Sequence, residues 1–150
     1  MTRPDYMALA LAEAARAVDE GEVPIGAVVV EARSGAVLAT AHNRTETDAD
    51  PTAHAELLAI RAAAAGRGEP RLADCDLYVT LEPCPMCAQA ISFARIRRVY
   101  YGAADPKGGG VAHGPRIFAQ PTCHHRPEVY PGIGEEKAAA LLRGFFKARR

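Results

Sequence analysis

Two short motifs constrain this chain more than any other feature, because together they supply metal ligands with one coordination position left over. Residues 54–56 read His-Ala-Glu, and residues 83–87 read Pro-Cys-Pro-Met-Cys. His54, Cys84 and Cys87 are ligands of the kind that zinc binds, and a catalytic zinc takes three protein ligands whereas a structural zinc takes four. The pattern predicts one zinc ion per chain, with its fourth position open to water.

Glu56 completes the pattern without being needed as a ligand. A metal-activated water attacks an aromatic C–NH₂ carbon productively only if a nearby group takes its proton and returns a proton to the departing amine. We expect Glu56 to be this proton shuttle. A His-x-Glu followed by Pro-Cys-x-x-Cys is the signature of zinc nucleobase deaminases, so the residues predict a zinc-dependent hydrolase that acts on C–N bonds.

The spacing of each motif predicts the start of a helix. Cys84 and Cys87 stand at i and i+3, which places both sulfurs on one face of a first helical turn, and Pro85 suits the first position of that helix. Free N–H groups at a helix N-terminus lower thiol pKa values. His54 and Glu56 lie about 200° apart around an ideal helix. They converge only if His54 begins the helix and Glu56 reaches around its first turn.

Other interpretations of the cysteines stay open. A lone Cys-x-x-Cys is also typical of redox pairs and of half a zinc finger, and Cys75, Cys123, His124 and His125 could by number supply a fourth ligand. We favour the catalytic interpretation, because a structural zinc does not need Glu56. Cys75 is expected to be a small buried residue at the start of a strand. The sequence assigns no role to Cys123, His124 and His125.

Composition limits the class of protein. The 150 residues fit a single domain over 1–150, and 49% hydrophobic with 24% charged residues is typical of a globular chain. Lys plus Arg and Asp plus Glu both number 18, so net charge argues neither for nor against a nucleic-acid partner. No signal peptide or membrane span is expected. A thiolate metal site suits a reducing cytoplasm.

Cationic residues are concentrated in two segments. They are Arg95, Arg97 and Arg98 after the cysteine motif, and Arg143, Lys147, Arg149 and Arg150 beside Phe145 and Phe146 at the C-terminus. Cations interleaved with aromatic rings could bind RNA phosphates and stack on bases. The same C-terminal pattern is equally typical of a solvated helix that buries its two phenylalanines.

The hydrophobic pattern predicts a helix, a hairpin, a helix, a strand, a helix, a strand, a loop and a last helix. The expected landmarks are a Thr2 cap, hairpin strands at 25–31 and 36–41, a His54 helix ended by Gly66, strands at 77–81 and 99–103, and a loop over 105–127. This alternation favours a layered α/β domain whose last strands are parallel. A loop this long in a compact domain is usually functional.

The chain resembles the cytidine deaminase-like superfamily, and within it the bacterial tRNA-specific adenosine deaminases. The matching stretches are residues 21–29, 42–44, 50–56, 77–87, 95–96, 102–103 and 144–146. The resemblance implies a three-layer α/β/α fold with a five-stranded mixed sheet and a homodimer. It also implies conversion of adenosine to inosine at the wobble base of a tRNA anticodon loop.

The resemblance extends to the substrate pocket. It implies that Asn43 hydrogen-bonds the bound nucleotide, that the Ala55 and Cys84 backbone helps to place the water at zinc, and that Asp105 lines the nucleic-acid side of the pocket. His124 departs from the family, which has Asn at that position.

Two alternatives to a tRNA substrate remain. A deaminase of a free base or nucleoside, of the guanine, cytosine or cytidine type, would share every catalytic residue. The C-terminal aromatic and basic residues, and the Thr80-Leu81-Glu82 lead into the cysteine motif, favour tRNA. A zinc-stabilised binding module without catalysis is disfavoured, because it would not need Glu56.

Overall fold

Helices and strands alternate along the chain. The structure is a computed structural model that describes residues 2–149. Its elements in chain order are α1 (Tyr6–Asp19), β1 (Gly26–Glu31), β2 (Val37–His42), α2 (Ala55–Arg67), β3 (Cys75–Leu81), α3 (Pro85–Phe93), β4 (Arg98–Ala103), a 3-10 turn (Ile117–Ala119), β5 (Glu128–Tyr130) and α4 (Glu135–Ala148). No helix within 2–149 is both long and apolar enough to cross a membrane.

The five strands form one mixed sheet in the order β2-β1-β3-β4-β5. β1 is antiparallel to β2 and β3, whereas β3–β4 and β4–β5 are parallel. The crossover from β3 to β4 is the helix α3, and that from β4 to β5 is a loop with the 3-10 turn. The predicted hairpin and parallel strands are therefore confirmed. The fifth strand follows only from the family resemblance, because three residues are too few to show an alternating pattern.

Side chains alternate between the two faces of the sheet and so define three layers. Val28 and Val30 face α1, in a cluster with Tyr6 and Met7. Ala27, Val29, Leu77, Val79 and Val99 face the other way, onto α2 and α3. Because α4 packs beside α1, the order is helices, sheet, helices. The predicted three-layer architecture is confirmed.

Gly26 explains how closely α1 approaches the sheet. A Cβ at this position would overlap the carbonyl oxygen of Ala10, so only glycine leaves room for the helix backbone. Gly26 also donates its N–H to Thr80 Oγ1 over 3.1 Å. This hydrogen bond joins the start of β1 to the end of β3, and the motif residues lie at this end of the sheet.

Two predicted helix boundaries are wrong. Asp5 rather than Thr2 caps α1, and its Oδ1 accepts a hydrogen bond from Ala8 N–H at 3.0 Å. Gly68 rather than Gly66 ends α2, because Gly68 adopts the left-handed conformation, with φ of 64°. Gly66 stays inside the helix. Thr2 and Asp5 are both residue types that cap helices, and Gly66 and Gly68 could both end one, so the sequence did not distinguish between them. The turns before α1 and after α2, which join the layers, select Asp5 and Gly68.

Candidate zinc centre and substrate pocket

The three predicted zinc ligands lie together at one end of the sheet. His54 Nδ1 is 3.6 Å from Cys84 Sγ and 3.6 Å from Cys87 Sγ. Ligands at ~2.0 Å and ~2.3 Å from a tetrahedral zinc lie ~3.5–3.6 Å apart, so the spacing is that of co-ligands. Within residues 2–149 no fourth His, Cys, Asp or Glu joins this group. The donor set therefore fits a zinc ion with one open position.

Cap positions bring these side chains together. His54 is the N-cap of α2 (φ −80°, ψ 150°) and Cys84 is the N-cap of α3 (φ −70°, ψ 170°), so both precede the helices in extended conformation. His54 is therefore not bound by helical spacing, which is why it can converge with Glu56. Pro85 holds the first position of α3 as predicted, but Cys84 lies just before the helix and not in its first turn.

The two cysteine sulfurs differ in acidity, so the expectation that the helix start lowers both thiol pKa values holds for Cys84 alone. A hydrogen bond from the Cys87 thiol, aided by His54 and opposed by burial, lowers the pKa of Cys84 to about 4. Donation of that bond raises the pKa of Cys87. Cys84 is half-exposed and Cys87 is buried. These shifts favour the thiolate at Cys84, and a bound cation would favour the thiolate at Cys87 as well.

Glu56 lies in the first turn of α2 and is 4% exposed. Burial is the largest influence on it and raises the pKa of Glu56 to about 7, and its side chain hydrogen-bonds Cys87. A carboxyl group with a pKa near the working pH can both accept and donate a proton. The position beside a zinc ligand and the raised pKa fit the role expected for Glu56.

Asn43 is the residue that connects β2 to the pocket. It follows directly after β2, is 6% exposed, and its Oδ1 accepts a hydrogen bond from Ala55 N–H at 2.9 Å. The Ala55 N–H is therefore already paired. Within residues 2–149 the Asn43 side-chain amide donates no hydrogen bond, and neither does the Cys84 N–H. These two donors, next to the zinc ligands in the chain or bonded to α2, are therefore free of protein partners within the described residues.

Asp105 lies in the loop that follows β4, and the loop borders the cysteine motif. Asp105 N–H donates to Glu82 Oε1 at 3.0 Å, and Asp105 Oδ1 accepts from Gly108 N–H at 3.0 Å. Gly110 N–H donates to Pro83 O at 2.8 Å. The loop therefore lies against the chain just before Cys84, on the same side as the zinc ligands.

The structure does not bring the first group of predicted RNA contacts to this pocket. Arg98 lies opposite Asp76 in the parallel register, at the start of β3. Cys84 and Cys87 follow the other end of β3, roughly 17–20 Å away. Arg97 also hydrogen-bonds Asp76, and Arg98 forms an ion pair with Glu128. Arg95 lies beyond the far end of α3. All three therefore lie away from the zinc ligands, and contacts from them to RNA phosphates stay a prediction.

The second group lies on two different faces of α4. Arg149 stacks on Phe145, with its guanidinium carbon 3.7 Å from the ring centroid, and Phe145 is buried. Phe146 is 49% exposed and lines a cavity of about 470 Å³ with Arg143 and Lys147. Only one of the two phenylalanines is therefore a core residue. Arg150 lies outside the described residues.

Cys75, Cys123 and His125 have partners other than the zinc ligands, and His124 is exposed. Cys75 is fully buried at the start of β3, as expected. Cys123 Sγ lies 3.4 Å from Ser92 Oγ, and His125 Nε2 donates to Ile96 O at 2.6 Å. These contacts attach the 117–127 segment to the end of α3, away from the zinc ligands. A closed four-ligand site built from them is not formed.

Two buried glutamates matter to the pocket and were not predicted as site residues. Glu82 is 2% exposed and holds the loop after β4, and Glu22 is 1% exposed and holds the segment after Asn43. Glu22 accepts hydrogen bonds from the N–H and hydroxyl groups of Thr47, both at 2.6 Å. A charged residue at the end of an apolar strand run, as in Leu77–Glu82, is the signal that could have identified Glu82.

Comparison with known proteins gives concordant matches. A model of the cytidine and deoxycytidylate deaminase zinc-binding region matches residues 2–103. The tRNA-specific adenosine deaminase of Agrobacterium fabrum is 57% identical over 99% of this chain and 96% of its own length. That of Aquifex aeolicus is 45% identical over 100% of this chain and 97% of its own length.

Solved structures agree. One, from a study of A-to-I editing by tRNA:A34 deaminases at the wobble position of transfer RNA, has a TM-score of 0.89 and 58% identity, covering 91% of this chain and 98% of that chain. The guanine deaminase of Bacillus subtilis has a TM-score of 0.67 and 33% identity, covering 100% of this chain and 94% of that chain. Both have a similar arrangement of sheet and helices to this chain.

Proposed function

We propose that this chain, which belongs to the tRNA-specific adenosine deaminases of the cytidine and deoxycytidylate deaminase zinc-binding family, converts adenosine to inosine at the wobble position of a tRNA. The observation that carries the chemistry is the triangle of His54, Cys84 and Cys87 with buried Glu56 beside it. The substrate is supported by relatives at 57% and 45% identity over nearly the whole chain.

The chain's own residues account for the proton transfers. His54, Cys84 and Cys87 would hold a zinc ion, which when bound would make a water molecule nucleophilic near neutral pH. Glu56 takes a proton as the water oxygen bonds to C6 of adenine, and returns it to the ring nitrogen. Glu56 then transfers the second proton of the water to the amino group, and the amino group leaves as ammonia. Water and adenosine are consumed, and inosine and ammonia are formed, with Glu56 restored.

Asn43 and Cys84 hold the substrate in this proposal. The unpaired amide of Asn43 donates to the nucleotide, while its Oδ1 stays on Ala55 and fixes the start of α2. The Cys84 N–H points into the pocket and helps to place the water. Ala55 contributes as the anchor of Asn43, since its own N–H is occupied. Asp105 lines the RNA side of the substrate pocket.

The activity test compares substrates directly. Purified zinc-loaded protein is incubated with unmodified tRNA that has adenosine at the wobble position, and separately with adenosine, cytidine, guanine and cytosine, while ammonia release and base identity are followed. We expect inosine in the tRNA and negligible turnover of the small molecules. Efficient deamination of guanine with unchanged tRNA would contradict the proposal and favour the chemistry of the Bacillus guanine deaminase.

The metal test uses a matched pair of cysteine variants. Cys87→Ala removes a zinc ligand and should strip the metal and lower stability, because zinc binding is coupled to folding. Cys123→Ala removes another buried thiol away from the site and should keep one zinc per chain. Metal analysis showing full zinc in Cys87→Ala would contradict the ligand assignment. All four cysteines are free, which suits the reducing cytoplasm that we propose as its compartment.

The outer face of α4 is the RNA surface that we propose. Arg143 and Lys147 flank exposed Phe146. Arg143 also lines a cleft with Ala103 and Ala104, which lead to Asp105, and with Glu135 and Glu136, so phosphates are expected on the Phe146 side of Arg143. Each phosphate bound should add a slope of about −0.7 to log K against log salt. Arg143→Ala with Lys147→Ala should reduce that slope by about 1.4. Arg149→Ala, on the Phe145 face, is the control and should leave the slope unchanged.

A homodimer is also proposed. Met86, Ala90 and Phe93 stand at i, i+4 and i+7 on α3 and form an apolar stripe, with Phe93 71% exposed. The stripe begins next to Cys87, so a second copy seated on it would border the pocket. Light scattering should give twice the chain mass, and Phe93→Glu should halve it with zinc retained. A wild-type monomer at micromolar concentration would contradict the dimer.

A further inference from the structure

Glu82 gathers the loop after β4 around one carboxylate. Its Oε1 accepts from Asp105 N–H at 3.0 Å, and its Oε2 accepts from the N–H groups of Val111, Ala112 and His113 at 3.2, 3.0 and 3.1 Å. His113 Nδ1 adds a fifth contact at 2.7 Å. Consecutive amides that converge on one anion form a rigid concave turn. Both ends of the 105–113 loop are thereby fixed to a single side chain.

Two glycines let the loop lie directly on the cysteine motif. A Cβ at Gly110 would be 2.5 Å from the Pro85 nitrogen, and a Cβ at Gly109 would overlap the Glu82 carboxylate. Gly110 also donates to Pro83 O and accepts from Ile117 N–H, both at 2.8 Å. The glycine run therefore serves close packing and not phosphate binding.

Glu82, which anchors the loop, lies in the same stretch of chain as the zinc ligand Cys84. Glu82 is separated from Cys84 by a single proline, and Glu82 N–H donates to Ala103 O at 2.8 Å across the ends of β3 and β4. The Glu82 side chain is 0% exposed, so it touches neither solvent nor a bound substrate. An effect on the reaction passes either through the loop or through the Cys84 backbone, and the zinc content of a Glu82 variant distinguishes the two.

We propose that Glu82 is a positioning residue of the substrate pocket: it holds residues 105–113 against the Cys84–Pro85 backbone and so sets where Asp105 meets the substrate. The inference rests on the proposed function, since Asp105 is expected on the RNA side of the pocket. Loss of this anchor weakens substrate binding and leaves the zinc centre and Glu56 in place.

The decisive experiment compares Glu82→Gln with Asp76→Asn. Asp76 is a buried carboxylate on the same strand, paired with Arg97 at the opposite end, and serves as a control for general destabilisation. With an anticodon stem-loop RNA, Glu82→Gln should raise KM about three- to tenfold, the worth of one misplaced hydrogen bond. Its kcat should stay within about twofold, and zinc should remain at one per chain. Asp76→Asn should leave KM unchanged.

Three results would overturn the proposal. They are an unchanged KM in Glu82→Gln, an equal rise of KM in Asp76→Asn, and loss of zinc from Glu82→Gln without a change in KM. Hydrogen–deuterium exchange gives a readout that does not depend on activity. The amides of residues 105 and 111–113 should exchange faster in Glu82→Gln and at the wild-type rate in Asp76→Asn, and the reverse would also refute the proposal.

A second pair of variants covers the case in which Glu82→Gln does not fold. Gly110→Ala keeps Glu82 but forces the loop away from Pro85, and should raise KM in the same range. Gly66→Ala adds a methyl group where no atom lies within 4 Å and is its control. An unchanged KM in Gly110→Ala would refute the proposal.

Failure of the proposed function has a different readout. It would appear as a wild-type enzyme that leaves RNA unchanged. The KM comparison would then be made with the small molecule that the enzyme does turn over, and the exchange comparison would stand as described.

Discussion

Glu56 and Glu82 flank the cysteine motif and are equally buried, at 4% and 2% exposure, yet their acidities are displaced in opposite directions. Burial dominates at Glu56 and raises its pKa to about 7. Burial also opposes ionisation at Glu82, but the Asp105 N–H, the His113 side chain and further loop amides outweigh it and hold the pKa of Glu82 below its usual value. Although the exposed fractions are similar, Glu56 is surrounded by more of the protein and is desolvated more strongly, so both this desolvation and the donors around Glu82 cause the difference.

The comparison shows how one residue type can serve two purposes beside the same group of zinc ligands. A carboxylate surrounded by main-chain N–H groups stays ionised and becomes a fixed part of the structure. A carboxylate without such donors can gain and lose a proton near neutral pH, which a proton shuttle requires. Glu22 is of the first kind, because its pKa is also lowered by the Thr47 and Glu46 donors that outweigh burial.

The largest expected effect is on turnover and should distinguish Glu56 from Glu82. Glu56→Gln keeps the shape of the side chain but cannot carry a proton, so kcat should fall by at least ~10² to 10⁴ while zinc stays bound. Glu82→Gln should keep kcat within about twofold. Single-turnover assays with metal analysis measure both. Near-normal kcat in Glu56→Gln would remove the distinction between the two residues.

Stability should show the opposite ranking. Glu82→Gln replaces an acceptor by an amide whose NH₂ faces N–H donors, and should lower the free energy of unfolding by about 1–3 kcal/mol. Glu56→Gln removes a buried ionisable group with few donors, and should change it by less than about 1 kcal/mol. Urea titrations at equal zinc concentration compare them. Equal losses would show that burial alone governs both sites.

Glu22 extends the comparison to pH. Because its folded pKa is lowered, the stability it contributes is complete above the pKa of an unfolded glutamate, about 4.3, and is lost as pH falls through the lower folded value. Glu22→Gln should therefore cost about 1–2 kcal/mol at pH 7, and the gap from wild type should close in acid. Urea titrations from pH 7 to 3 test this, and a constant gap would contradict it.

The smallest effect concerns the half-exposed His113, which among residues 2–149 is the one side-chain donor to Glu82. His113→Ala leaves the four main-chain hydrogen bonds in place and should cost only about 0.5–1.5 kcal/mol. His113→Asn restores a side-chain donor and should cost less. Thermal unfolding of both variants gives the order. A larger loss in His113→Ala than in Glu82→Gln would show that the side chain, not the backbone, fixes the loop.

The sequence by itself determined the zinc ligands and the neighbouring carboxylate. His54, Cys84 and Cys87 lie in two short motifs, and each motif carries its own helix start, so local rules are enough to present the donors. The hairpin and the parallel β3–β4 pair were also predictable, because alternation and crossover handedness are general properties of chains. Chemistry that depends on residues close together in the sequence can be predicted without knowledge of the fold.

Only the tertiary structure decided which end of the sheet each residue occupies. Arg97 and Arg98 follow the cysteine motif by about ten residues, yet the parallel register returns them to the opposite end, beside Asp76. Packing against α1 buries Phe145 and leaves Phe146 exposed, although the two are adjacent. Glu82 acquires its role from amides more than 20 residues away. These outcomes depend on strand register and layer contacts, which join residues distant in the chain and leave no periodic trace in it.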